Sequence, residues 1–206
     1  MRRSIPASIV NQVVGGKKRE TSNIRSDELV QAGFRRVAEV GFEGLRLRQV
    51  ADEVGIDHST LHHYFATKQD LIDAIAAYTT RQFWLTSPEN PDPAARLRGH
   101  LDTLRTMMRE RPDLFIVTIE LDLRARRDPA VREAMRGHEE GWREALVEIL
   151  TDGVQAGVWA PGVEAEAGAE LIMTAVKGAR LNPEQAETIF NQLMKLLSAP
   201  REDQCM

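Results

Sequence analysis

Cysteine is all but missing from this chain: its one thiol, Cys205, stands next to the last residue. That excludes a disulfide framework or a cysteine-based metal centre within one chain, and a reducing cytoplasm is the expected compartment. No apolar run approaches the ~20 residues that a membrane helix needs, so no membrane partner is expected. The opening stretch, MRRSIPASIVNQVVGGKKRE, has neither a long apolar segment nor a small-residue cleavage site, and is not read as a secretion signal. A nucleophile elbow and a glycine-rich dinucleotide fingerprint are also missing. Gly15-Gly16-Lys17-Lys18 lacks the first glycine at phosphate-loop spacing and follows no convincing strand. Neither a cofactor nor a metal is expected. An enzyme would have to use acids such as Glu120 and Asp122, which read better as the polar edge of a helix over 112–126.

Strand-like alternation is equally scarce, confined to a weak stretch at Ser8–Val14. What the chain does have is helical periodicity, and the fold class predicted is all-α with about nine helices. Asp27 and Glu28 suit a helix start, where carboxylates meet the positive end of the dipole. Leu29, Val30, Phe34, Val37 and Ala38 then recur at helical spacing until Gly41. Short second and third helices follow, from about Leu47 to Val54 and from after Asp57 to near Tyr64. A fourth runs over about 68–86. The segment SPENPDP, with three prolines in seven residues, marks the domain joint. Five further helices are predicted at about 93–110, 112–126, 129–156, 164–181 and 183–198, with Pro112, Pro129 and Pro183 at tolerated first-turn positions.

The net charge of −4 argues against a nucleic-acid partner until it is located along the chain. Residues 1–80 are close to neutral, and residues 81–206 carry the acidic excess. Arg2, Arg3, Lys17, Lys18, Arg19 and Arg25 face only Glu20 within the first 25 residues. Residues 1–24 are therefore read as a flexible basic arm, and a local basic arm matters more to phosphate than the whole-chain sum. The remaining domains expected are 25–70, 87–200 and a tail at 201–206.

The most informative segment is LRQVADEVGIDHSTLHHYF, Leu47 to Phe65. Two short helices joined by a three-residue turn must cross steeply. Ala51 lets them approach, Gly55 supplies the positive φ that starts the turn, and Val50, Val54, Ile56 and Leu61 can pin the pair to the first helix. His58, Ser59, Thr60, His62 and His63 are left on the outside, and short hydroxyls and imidazoles suit base edges and phosphates. His58 and His62 share a face, but no cysteine or carboxylate in the same short helix completes a metal set.

These residues resemble the TetR (tetracycline-repressor-like) family of bacterial regulators. The resemblance covers residues 25–75. It rests on Gly41-Phe42-Glu43-Gly44-Leu45, Val50-Ala51, Val54-Gly55-Ile56, Thr60-Leu61, Tyr64-Phe65, and Lys68 with Leu71. It implies a three-helix DNA-binding domain whose third helix reads the major groove, with Lys68 on a phosphate. The DNA-contacting set is then Arg46, Arg48, Gln49, His58, Ser59, Thr60, His62, His63, Tyr64 and Lys68. Two positions depart from the family pattern. Arg46 stands where the family usually has Thr or Ser, and His62 where it has a phosphate-binding Tyr; imidazole is shorter and titrates near neutral pH.

Beyond residue 85 the resemblance is architectural. It implies a larger helical domain that senses a small, largely apolar effector and forms a homodimer, so that two reading heads meet the half-sites of a palindromic double-stranded operator. The bulky residues expected around the effector are Leu104, Met108, Phe115, Thr118, Ile119, Leu123, Met135, His138, Trp142 and Leu146. The dimer face is expected at Leu171, Ile172, Ala175, Ile189, Phe190, Leu193, Met194 and Leu197. The alternative, a ligand-independent or architectural DNA-binding protein, would fill the same region with core. A cavity there separates the two.

Overall fold

A computed structural model describes the backbone of residues 7–83 and 90–199, and side chains from residue 24 onward. Among the described residues there are nine α-helices and no strand; one isolated antiparallel bridge joins Trp159 and Ser198. Two compact units divide inside a helix, between Ile75 and Ala76. The joint expected at 87 lies outside the described residues. Leu71, Ile72 and Ile75 are buried upstream of that division and Phe83 is buried downstream of it.

The first unit holds α1 (Ala7–Gly44), α2 (Leu47–Val54), α3 (His58–Leu61) and the start of α4 (Lys68–Arg81). The helical backbone of α1 begins well before Asp27 and covers the Ser8–Val14 stretch, so the alternation there makes no strand. Part of the expected basic arm, residues 1–6, lies outside the described residues, as does the tail at 201–206. Gly41, at φ 66° and ψ 175°, is non-helical and breaks α1 where the sequence places its end, and a short further helical stretch carries the chain to Gly44. Leu29, Phe34, Val37 and Phe42 are buried from α1, with Leu45 from the link after it, Val50 and Ala51 from α2, Leu61 from α3, and Leu71 and Ile75 from α4. A Cβ on Gly33 would stand 2.9 Å from Ile75 Cδ1, so the glycine sets how closely α1 and α4 approach.

The second unit contains α5 (Pro93–Glu110), α6 (Pro112–Ala125), α7 (Pro129–Gln155), α8 (Ala165–Ala179), a 3₁₀ turn (Pro183–Gln185) and α9 (Ala186–Leu197). Asp92 and Asp128 cap α5 and α7, their carboxylates accepting from Ala94 N at 3.0 Å and from Ala130 N at 3.1 Å. The prolines directly after them occupy positions with no backbone bond to lose. The long α7 packs against α5, α6 and α8, and α9 closes on α8 and α5. Trp159 folds back onto Gly153, where a Cβ would lie 1.9 Å from the indole nitrogen. No helix among the described residues is long and apolar enough to cross a membrane.

Candidate nucleic-acid interface and small-molecule cavity

The turn between α2 and α3 is built as its residue types require. Gly55 has φ 72° and ψ 37°, and Ile56 N donates to Ala51 O at 3.0 Å, closing the end of α2. Asp57 occupies the extended position before α3, but its side chain makes no cap bond; its backbone carbonyl accepts from Thr60 and Leu61 instead. The α-helical part of α3 is only four residues long. The chain then tightens into shorter bonds, His63 N to Thr60 O and Tyr64 N to Leu61 O, so the expected helix to Tyr64 is half α and half tight turn.

Leu61 is fully buried, which turns the other side of this short element outward. His58, Ser59, His62 and His63 are exposed, and Thr60 and Tyr64 are half-buried. The His58 and His62 rings meet edge to face with centroids 4.6 Å apart. His62 Nδ1 lies 3.1 Å from Ala66 O. A carbonyl only accepts, so the proton sits on Nδ1 and Nε2 faces outward as an acceptor while the ring is neutral.

The remaining predicted contacts are placed on the α1–α2 side, several already engaged. Arg46 Nη1 donates to the carbonyls of Glu43 and Leu45, folding over the end of α1 instead of capping α2. Gln49 accepts from Arg36 at 3.1 Å. Lys68 is half-buried and donates from Nζ to Phe42 O at 2.9 Å, so the cation caps the carbonyl end of α1. Arg48 is exposed. Arg35 binds Glu53 through two nitrogens at 2.7 and 2.9 Å, clamping α1 to α2 beneath this surface.

The second unit contains a partly open cavity of about 220 Å³. Four of the ten residues predicted for the effector line it: Leu104, His138, Trp142 and Leu146. Met108, Phe115 and Met135 are buried but do not line it; Phe115 packs edge to face on Phe83, which does. Thr118 is buried and spends its hydroxyl on Leu114 O at 2.7 Å, within its own helix. Ile119 is half-buried and off the lining, and Leu123 is 62% exposed on the outside of α6. A helical wheel selects apolar residues but not which neighbour they meet.

Sequence reasoning missed Phe83, His100, Gly137, Gly141, Ala145 and Arg180 in the cavity wall. Arg180 carried a signal. It continues the four-residue spacing of Ile172 and Val176, both fully buried, and so falls on the inward stripe of α8. It is itself buried, donates from Nη1 to Asp122 at 3.2 Å, and lies 5.9 Å from the ring centroids of both Phe83 and Trp142. Lys177 pairs with Glu139 and lies 3.9 Å from Asp122. Burial raises the Asp122 carboxyl above its ordinary range against the pull of Arg180 and Lys177. Burial, then the Arg180 charge, holds His138 below the ordinary imidazole range. Trp142 Nε1 donates to His100 Nε2 at 3.0 Å. Asp122 and Glu120 thus differ: Asp122 is a partner to the buried Arg180 and the half-buried Lys177, and Glu120 is half-buried on α6.

The predicted dimer face is largely used up inside the unit. Ile172, Phe190, Leu193, Met194 and Leu197 are all buried, so they hold α8 and α9 against their own unit. Ala175 and Ile189 are half-buried, and Leu171 is 49% exposed. The apolar surface that α8 and α9 leave open is Leu171, Leu181 and Leu196, with small or polar neighbours Ala167, Thr174 and Gly178.

The comparisons with known proteins agree with this division. Residues 29–75 match the model of the bacterial regulatory proteins of the tetR family, and residues 93–186 match the C-terminal model of BetI-type transcriptional repressors. The HTH-type transcriptional repressor AcnR of Corynebacterium diphtheriae is 26% identical over 130 residues, covering 62% of this chain and 64% of that protein. The HTH-type transcriptional regulator BetI of Burkholderia ambifaria is 31% identical over 81 residues, or 37% of this chain and 42% of the relative. The chain thus spans less than two thirds of the length of these two curated relatives. A TetR transcription regulator from Haloarcula marismortui superposes with a TM-score of 0.76 at 29% identity, covering 84% of this chain and 96% of that one. With both of its units matched and its reading head built as described, the chain belongs to the TetR family of bacterial regulatory proteins.

Proposed function

We propose that this chain is a DNA-binding transcriptional repressor that acts as a homodimer on a palindromic operator and is released by a small effector. One observation carries the reading: the exposed polar side of α3, His58 to His63, stands opposite a fully buried Leu61 on a glycine-hinged turn. Short hydroxyl and imidazole groups on a rigid outward face are what groove contact requires, and spending them on solvent alone would leave their arrangement without a use.

The cavity supports the sensing half of this reading over the ligand-independent alternative, because a purely architectural protein has no need to leave its helical core open. The proposed coupling runs through α4. It begins at Lys68, and two residues after it ends Phe83 forms part of the cavity wall. A ligand that displaces Phe83 pulls on the helix that starts at the reading head. Such coupling is typically worth ~1–3 kcal/mol.

Selection of random duplex DNA by the full-length protein tests the function. The expected result is an enriched palindrome with half-sites about one helical turn apart. Retention of DNA without sequence enrichment would overturn the operator reading. Enrichment that no compound in a broad small-molecule screen reverses would return the protein to the ligand-independent class.

A further inference from the structure

We propose that the cavity of the second unit takes a small carboxylic acid, with one anionic head on Arg180 and a compact apolar body along α7; this rests on the reading of that cavity as the effector site. Arg180 is only 8% exposed, yet it lines the cavity. A guanidinium has five N–H donors, and burying them is costly unless they are matched. Asp122 accepts one bond from Nη1 and is shared with Lys177. The Nε–H of Arg180 is buried and has no acceptor. Phe83 and Trp142 flank the cation, holding a planar fork at the cavity wall. A carboxylate is the group whose geometry matches that fork.

The lining also specifies the rest of the ligand. Gly137, Gly141 and Ala145 recur every four residues on α7 and all face the cavity. Glycine inside a helix is unfavourable compared with alanine. A Cβ at Gly137 or Gly141 would meet nothing within 4 Å, so neighbouring atoms do not demand these glycines. Their missing side chains leave an open strip, with Leu104 and Leu146 completing an apolar wall. An apolar cavity of ~150 Å³ is enough to hold benzene. The volume of about 220 Å³ therefore suits a single ring or a short chain bearing the acid.

The test uses full-length protein and matched neutral isosteres: benzoate with benzamide, phenylacetate with phenylacetamide, and hexanoate with hexanamide, each titrated calorimetrically. In at least one pair the acid is expected to bind tenfold or more tighter than its amide. Arg180→Gln reduces that preference below threefold and leaves the amide affinity unchanged. Where the single variant fails to fold because Asp122 loses its Arg180 partner, Arg180→Gln with Asp122→Asn replaces it. Gly141→Leu fills the strip without touching Arg180 and weakens both members of the pair at least tenfold. Amides that bind as well as acids, or an acid preference that survives the loss of Arg180, overturn the carboxylate assignment while leaving the cavity as an effector site. Binding insensitive to Gly141→Leu overturns the placement of the apolar body. Failure of all three pairs overturns the proposal itself, and the effector reading then stands or falls on the operator-release screen.

Discussion

The indole N–H of Trp142 donates to Nε2 of His100 over 3.0 Å, tying α7 to α5 at the wall of the cavity. Indole can only donate, so this His100 nitrogen accepts and its ring carries the proton on Nδ1. His100→Leu leaves the N–H without this acceptor and is expected to lower stability by about 1–3 kcal/mol. Adding Trp142→Phe removes the orphaned donor, and the double variant loses less than the sum of the single losses. Urea denaturation of the four proteins measures the coupling; strict additivity would show that the bond contributes nothing.

His138 gives the second unit a defined response to acid. Its imidazole is held below the ordinary value of 6.5, first by burial and then by Arg180. Above 6.5 the folded and unfolded chains both carry it neutral. As the pH falls through that value the unfolded chain takes the proton before the folded one, so stability declines on acidification. His138→Phe is expected to flatten the slope of unfolding free energy between about pH 6.5 and 5, the window in which histidine changes charge. An unchanged slope would place the effect elsewhere. Asp122, with its carboxyl raised, acts in the opposite sense at lower pH: stability falls as pH rises above the ordinary carboxyl value of 3.8.

The reading head makes a prediction at His62. While the ring is neutral, its Nε2 is an acceptor, so it can meet a donor on a base edge but cannot donate to a phosphate. His62→Tyr supplies a hydroxyl donor and is expected to tighten operator binding at fixed salt, whereas His62→Ala weakens it. Arg48→Ala should weaken binding evenly across sequences and reduce the salt slope by about 1, as loss of one phosphate contact does. Titrations of the selected operator at several salt concentrations read all three. Equal affinities for the wild type and both His62 variants would remove that residue from the interface.

Association of two copies is expected to depend on the residues that remain open. Leu171→Glu and Leu196→Glu place charge on leucines that are 49% and 62% exposed. Each should shift the protein towards monomer in sedimentation equilibrium with its helicity intact. Phe190→Ala, by contrast, opens a hole in the unit's own core and should cost about 3–5 kcal/mol of stability. If Leu171→Glu and Leu196→Glu leave the mass unchanged, the dimer face lies elsewhere.

The local chemistry of the chain was legible without coordinates. Proline at 112 and 129 marks helix starts because ring geometry acts within a single turn, although Pro183 opens a 3₁₀ turn instead. Gly55 marks the turn because only one φ region closes it cheaply. The outward side of α3 followed from the spacing of Val50, Ala51 and Leu61. Tertiary structure decided what those faces meet. It turned Phe190 and Leu193 into core and left Leu171 and Leu196 open, because periodicity names an apolar stripe but not the helix that covers it. It spent Arg46 and Gln49 on neighbouring groups, since a long polar side chain binds whatever acceptor or donor the fold brings near. It also buried Arg180 between two aromatic rings beside the cavity, and that placement depends on residues drawn together from distant parts of the sequence.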